Sequence, residues 1–229
     1  MIPIRDTTPS RTFPVVNISL IIINSVIFLY EVSLGEQMES FLNAFAVKPA
    51  TFIWLVNNDP LNIPAITFPL FSSMFIHGGW LHVIGNMWYL WIFGDNVEDR
   101  VGHVRYLFFY LICGIGAGLT HIYFNPTSEL PTVGASGAIA GIMGAYLMLY
   151  PMGKVLTLIP IFFFITFFKV PAIFFLGFWI VLQFIQGTLS HTFQQNTGGV
   201  AWWAHFGGFI IGAILIFIFK KRGYKRYEY

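Results

Sequence analysis

Charge is what this chain has least of. Of its 229 residues only 10% are Asp, Glu, Lys or Arg, while 56% are hydrophobic. A soluble domain carries roughly 25% charged residues. The deficit excludes an ordinary water-soluble domain and points to a chain that lives in a membrane. From Val170 to Phe219 there is no charged side chain at all. Cysteine is nearly absent too. Cys113 is alone and sits in an apolar run, which excludes an internal disulfide and reads as a small buried residue. No His-Glu-x-x-His occurs around His77 and His82, so the zinc-protease motif is missing. No metal, cofactor or nucleic-acid partner is expected, and the net charge of +2 says little by itself.

What is present is a series of apolar runs. A span needs roughly 20 mostly apolar residues. Candidates are Val15–Leu34, Trp80–Gly94, Tyr106–Phe124, Ser136–Tyr150, Pro171–Leu189 and Trp203–Phe219. Lys154–Lys169 is apolar but short and carries Pro160, so it reads as an interfacial or re-entrant connection. A charged turn with Asp95, Glu98, Asp99, Arg100 and Arg105 follows the second span. The fold class expected is an all-α polytopic membrane protein of six spans. Residues 1–14 form a cytoplasmic N-terminal segment, 15–219 the membrane domain, and 220–229 a basic cytoplasmic tail. The domain includes a structured first loop at 35–79 and a polar loop at 190–200. With the N-terminus inside, every basic residue except Lys48 falls on the cytoplasmic side, a strong positive-inside pattern. Met1–Pro14 shows no cleavable leader pattern, and the plasma (inner) membrane is the expected location.

The polar residues inside these spans share a depth. In this topology His82, Asn86, Ser136 and His205 all lie in the outer half of the bilayer, at a rise of about 1.5 Å per residue. Such groups are costly in a membrane and are functional candidates by default. His82 and Asn86 are four apart and share a helix face. Ser136 lies in Gly134-Ala135-Ser136-Gly137 and opens a span. Gly137-x-x-x-Gly141 and Gly208-x-x-x-Gly212 allow close helix approach. Packing those two spans together would bring His205 to Ser136 as a general base. No Asp or Glu lies in the second, fourth or sixth span, so a Ser-His dyad without an acid is the arrangement available. The N–H groups of a helix start, with His82 and Asn86, can receive an oxyanion. A lone serine among glycines is a packing pattern, and a lone intramembrane histidine is often structural. The conjunction is what favours catalysis.

These motifs resemble the rhomboid family of intramembrane serine proteases, in its bacterial form. The match runs from about Phe68 to Phe219 and rests on His77-Gly78-Gly79-Trp80-Leu81-His82-Val83-Ile84-Gly85-Asn86, Gly134-Ala135-Ser136-Gly137 and Ala204-His205-Phe206-Gly207-Gly208-x-x-x-Gly212. The resemblance implies a six-helix rhomboid-like bundle, Ser136 as nucleophile and His205 as base. It implies an oxyanion site of His82, Asn86 and the Ser136 N–H, and a structural carboxylate at Glu98. His77 is expected to line the cavity. The polar His191–Gly199 loop would cap the active site. Substrates would be single-pass membrane proteins cut in or near the bilayer. Two positions depart from the family pattern. Phe68-Pro69 stands where members often carry Trp-Arg, and Ala140 stands where many place an aromatic against the histidine. A proton-relaying transporter and a silent relative that only binds membrane helices are the alternatives. The absence of internal repeats and of charged residues inside spans two to six argues against the transporter.

Overall fold

Each of the six candidate spans lies in a helix. The computed structural model describes residues 1–161, 164–192 and 200–221, without side chains at 160, 161, 164, 165, 191 and 192. The long helices are α1 (Val15–Ser33), α5 (Trp80–Val101), α6 (His103–Phe124), α7 (Ser136–Leu149), α8 (Ala172–Thr192) and α9 (Trp202–Phe219). Five of them match the expected bounds to within a few residues, and α5 runs on past Gly94 to Val101. Short helices α2 (Met38–Phe45), α3 (Pro49–Asn58) and α4 (Ile63–Ser72) build the first loop. Four helices, α1, α6, α8 over Ala172–Ser190, and α9, are long and apolar enough to cross a membrane. The protein is therefore a multi-pass membrane protein. Helix α7 has 14 residues, and eleven of them are buried; a helix apolar all round belongs inside a bundle.

The turn expected after the second span is shorter than its charges suggest. Helix α5 continues through Asp95, Glu98, Asp99 and Arg100 to Val101. Gly102, at φ +87°, then reverses the chain alone, and α6 starts at His103. Hydropathy marks where the apolar face ends, whereas the helical hydrogen bonds run on. Glu98 is fully buried and accepts the backbone N–H groups of Val16 (3.0 Å) and Asn17 (2.7 Å). Its charge therefore meets the positive end of α1.

The all-α expectation holds for the bundle and fails at one end. Part of the N-terminal segment and the Lys154–Lys169 connection form strands. Ile2–Asp6 (β1), Lys154–Ile161 (β2) and Phe164–Pro171 (β3) form an antiparallel sheet in the order β1-β2-β3. β-Branched and aromatic residues such as Val155, Thr157, Phe167 and Val170 favour the strand state. Pro160 is tolerated because β1 reaches only to Leu158, leaving that part of β2 bonded on one side. The sheet closes the end of the bundle away from Ser136. Asp6 fixes it there: its carboxylate accepts the Tyr146 hydroxyl of α7 (2.8 Å), the Thr8 N–H (3.0 Å) and the Asn96 amide of α5 (3.3 Å).

At the centre, α7 packs on α9, α6, α5 and α8. The α7–α9 seam is made of glycines. A Cβ on Gly208 would run into the carbonyl of Gly137, one on Gly212 into that of Gly141, and one on Gly144 into that of Phe209. The side chains of Leu90, Phe93, Tyr106, Phe109, Tyr110, Ile142 and Tyr146 are fully buried around the seam.

Two outcomes follow from this packing. Gly144→Ala should lower the melting temperature in detergent and cost about 2 kcal/mol or more, the upper part of the overpacking range. The opposing atoms are backbone and cannot rotate away. Gly177→Ala in α8, with nothing near its added methyl, should be neutral or slightly stabilising. Equal effects would refute the seam. The second concerns pH. Burial, with the charge of Asp95, raises the Asp6 carboxyl from 3.8 to about 6, against the lowering effect of its hydrogen bonds. Between those values the folded protein keeps a proton that the unfolded chain has released, so the Asp6 contribution is greatest at low pH. It falls as pH rises through that window and is flat above it. The melting-temperature advantage of Asp6→Asn over wild type should therefore grow from about pH 4 to about pH 6; a constant difference would contradict the assignment.

Candidate active site

The site is assembled by helix beginnings. Ser136 is the first residue of α7 and is half-buried. No side chain caps this end, and the first-turn N–H groups of a helix have no partner within it. His205 lies one turn into α9, half-buried, with its N–H on the Ala201 carbonyl (3.2 Å). The glycine seam brings their two helices together. Around Gly137, the neighbour of Ser136, the position of an added Cβ lies 3.8 Å from the Cβ of Ala204, the neighbour of His205.

From the other side comes α5. His82 and Asn86 face Gly134, two residues before the serine. A Cβ there would sit 2.7 Å from His82 Cε1, 2.8 Å from its Nε2 and 3.6 Å from Asn86 Nδ2. Gly134 also holds φ +126°, which favours glycine, and its N–H is tied to the Ser73 carbonyl (2.9 Å). Both the backbone conformation and the space require a glycine. The His82 Nδ1 accepts the Gly78 N–H at 3.4 Å, which puts its own proton on Nε2, the nitrogen turned to Gly134. The Asn86 Nδ2 is buried and has no hydrogen-bond partner among the described residues. Two donors therefore converge on the approach to Ser136. His77 is fully buried, edge-on to His82 at 5.3 Å, behind this pair rather than beside the serine.

Other expected residues fall elsewhere. Glu98 is sixteen residues along α5 from His82, on the order of 24 Å away by helical rise, at the α1 end of the bundle. Gly208 and Gly212 act in the seam. Most of the expected cap, residues 193–199, lies outside the described residues, as does most of the basic tail. Metal-ligating residues form no cluster among the described residues.

Four residues go beyond the sequence expectations. Gln183 of α8 is buried and places Oε1 2.7 Å from His205 Nδ1. Trp179, one turn earlier, lies 5.8 Å from the His205 ring, and Trp202 lies 6.3 Å from it. Ala140 is fully buried and leaves this aromatic role to α8. Glu31 near the end of α1 is 1% exposed, and its carboxylate accepts the His77 N–H (3.1 Å). The signal was available: Glu31 is the one acid in the first span, and Gln183 is a polar residue in a lipid-facing run. The first loop is also held without a Trp-Arg pair. Val47 and Thr132 exchange two backbone hydrogen bonds (3.2 and 2.7 Å), and Phe68 packs on Phe45 at 5.7 Å.

Comparison with known proteins agrees in kind. Residues 66–222 match the family model described as the Rhomboid domain. RHOMBOID-like protein 1 of Arabidopsis thaliana is 35% identical over 153 residues, covering 67% of this chain and 34% of that protein. The mitochondrial Rhomboid protein 1 of Saccharomyces cerevisiae is 26% identical over 149 residues, covering 63% and 40%. Rhomboid protease GluP of Bacillus subtilis is 32% identical over 120 residues, covering 52% and 21%. The chain thus spans less than half the length of each of these relatives, and they come from plants and mitochondria as well as a bacterium. With the family model matching more than half of its residues, the chain belongs to the rhomboid family.

Proposed function

We propose that this protein is an intramembrane serine endopeptidase working through a Ser136–His205 dyad. The observation that carries the reading is the convergence at Gly134 and Gly137. His82 and Asn86 donors approach one flank of Ser136, and the helix bearing His205 touches the other. The Ser136 Oγ attacks the scissile carbonyl while the His205 Nε2 takes its proton. The oxyanion is received by the Ser136 N–H, Asn86 Nδ2 and His82 Nε2, donors already in place before charge develops. His205 then returns the proton to the leaving amine, and water, activated by the same nitrogen, releases the acyl group.

Depth supports the same reading. A helix of 14 residues rises about 21 Å, against roughly 30 Å of hydrocarbon. With its far end at the sheet, Ser136 sits below the opposite surface. Substrates are single-pass membrane proteins. Their scissile segment must leave its helical hydrogen bonding to expose a carbonyl. We further propose six spans with both termini cytoplasmic in a plasma or inner membrane, on the distribution of basic residues. Relatives named as mitochondrial are the reason to measure it.

Two experiments decide. With purified protein and a model single-pass substrate, Ser136→Ala and His205→Ala should abolish cleavage. Asn86→Ala should lower kcat about 10²-fold with folding intact, the usual cost of one oxyanion donor. Cleavage that survives Ser136→Ala would end the proposal. For topology, a phosphatase fused after Tyr229 should stay silent and a fluorescent protein there should be bright; the reverse pattern would place the C-terminus outside.

A further inference from the structure

Helix α8 presents Phe174, Phe178, Val181, Leu182, Phe184 and Ile185 to its surroundings. On its opposite face, at four-residue steps, stand Phe175, Trp179, Gln183 and Gly187. This face lies against the start of α9. At Gly187 an added Cβ would be 3.1 Å from the Trp203 ring, so the helices meet closely there. Gln183 is 7% exposed in this contact, and its Oε1 lies 2.7 Å from His205 Nδ1.

The chemistry of that bond is directional. A carboxamide oxygen only accepts, so Nδ1 must carry the imidazole proton. The remaining nitrogen, Nε2, then holds the lone pair. A general base needs this tautomer, and when the ring takes the serine proton the Nδ1–H bond becomes charge-assisted and stronger. Trp179 and Trp202 border the ring and limit its rotation. A neutral amide does this without an ionised carboxylate in hydrocarbon, where charge is expensive. We propose that Gln183 is the positioning residue of the catalytic base, holding His205 from α8 with its proton on Nδ1 and Nε2 free for Ser136. The proposal rests on the dyad reading above.

The test uses the full chain in detergent and in proteoliposomes. Gln183→Met keeps the volume and removes the acceptor; Gln183→Glu keeps a carbonyl acceptor in either protonation state. Nitrogen-15 spectra of labelled histidine, assigned with a His205→Asn control, report the tautomer. Wild type should show the proton on Nδ1, and Gln183→Met should lose that preference. On a single-pass substrate Gln183→Met should lower kcat about tenfold or more, within the 10²–10⁴ that a positioned base contributes. KM should stay within about twofold, because Gln183 acts through the base rather than on the substrate. Gln183→Glu should recover most of the loss. A wild-type proton on Nε2, or an unchanged kcat in a folded Gln183→Met protein, would overturn the proposal, as would equal losses in the Met and Glu variants. If Gln183→Met does not fold, the wild-type spectrum and the Glu variant decide alone. A fluorophosphonate probe separates the two readings. Labelling that persists in Ser136→Ala refutes the dyad, whereas the tautomer stands or falls independently of it.

Discussion

The contact on which everything else depends is backbone against backbone, where α7 meets α9. In lipid, burying another leucine gains little, because the alternative environment is equally apolar. Helices associate instead by close van der Waals approach and by hydrogen bonds. Gly144, Gly208 and Gly212 remove the side chains that would hold the two axes apart, while Gly137 and Gly141 make room chiefly for Ala117 and Cys113 of α6. The approach is near its limit: at Gly208 and Gly212 even one methyl group would overlap a carbonyl of the facing helix. Such a seam has one register. Ser136 and His205 inherit their relation from it, each next to a residue in the contact, and neither needs a loop to carry it there.

Under the proposed reading, His205 has to be oriented as a base without an acid. The surroundings solve this with neutral groups: a carboxamide from α8, two tryptophan rings, and the main chain of α9. The acids that are buried are used elsewhere and face backbone N–H groups. Glu98 closes the start of α1, and Glu31 holds the His77 N–H. Burying a carboxylate costs several kcal/mol unless its oxygens are bonded. At these two positions they are, and each tie fixes an element that frames the site. Glu98 fixes where α1 starts beside α5. Glu31 fixes the chain just ahead of His82.

The legible part of the sequence was what lipid dictates locally. Six apolar runs lie in helices, five of them near the expected bounds and the second overrun to Val101, and shared depth singled out His82, Asn86, Ser136 and His205 as candidates. What was not legible needed a partner distant in sequence. Ile2–Asp6 is a strand only because Val155–Leu158 lies beside it, about 150 residues away, and no local pattern encodes that pairing. The connection between α7 and α8 is short and carries Pro160, and its β-branched and aromatic content is what makes it a hairpin. Gln183 looks like one polar residue on a greasy helix until α8 is rotated against α9. Ala140 looks like a missing partner for the histidine until Trp179 occupies that place.

The starts of α2, α3, α5, α6, α7 and α9 all lack a side-chain cap, so an open start alone marks no site; at α7 it is the neighbouring donors that count. A helix start carries unpaired N–H groups and a partial positive charge, and native structures rarely leave such donors unmet when buried. At α1 a carboxylate meets them. At α4 the Asn62 side chain accepts from the Ala65 N–H at 3.3 Å. At α7 no side chain does so, and the nearby Asn86 Nδ2 is buried without a partner among the described residues. Leaving one buried donor unsatisfied costs about 1–3 kcal/mol. Under the proposed reading, an anion arriving between this amide and the start of α7 would meet donors from both. An arrangement complementary to a charge absent from the ground state is what transition-state stabilisation requires.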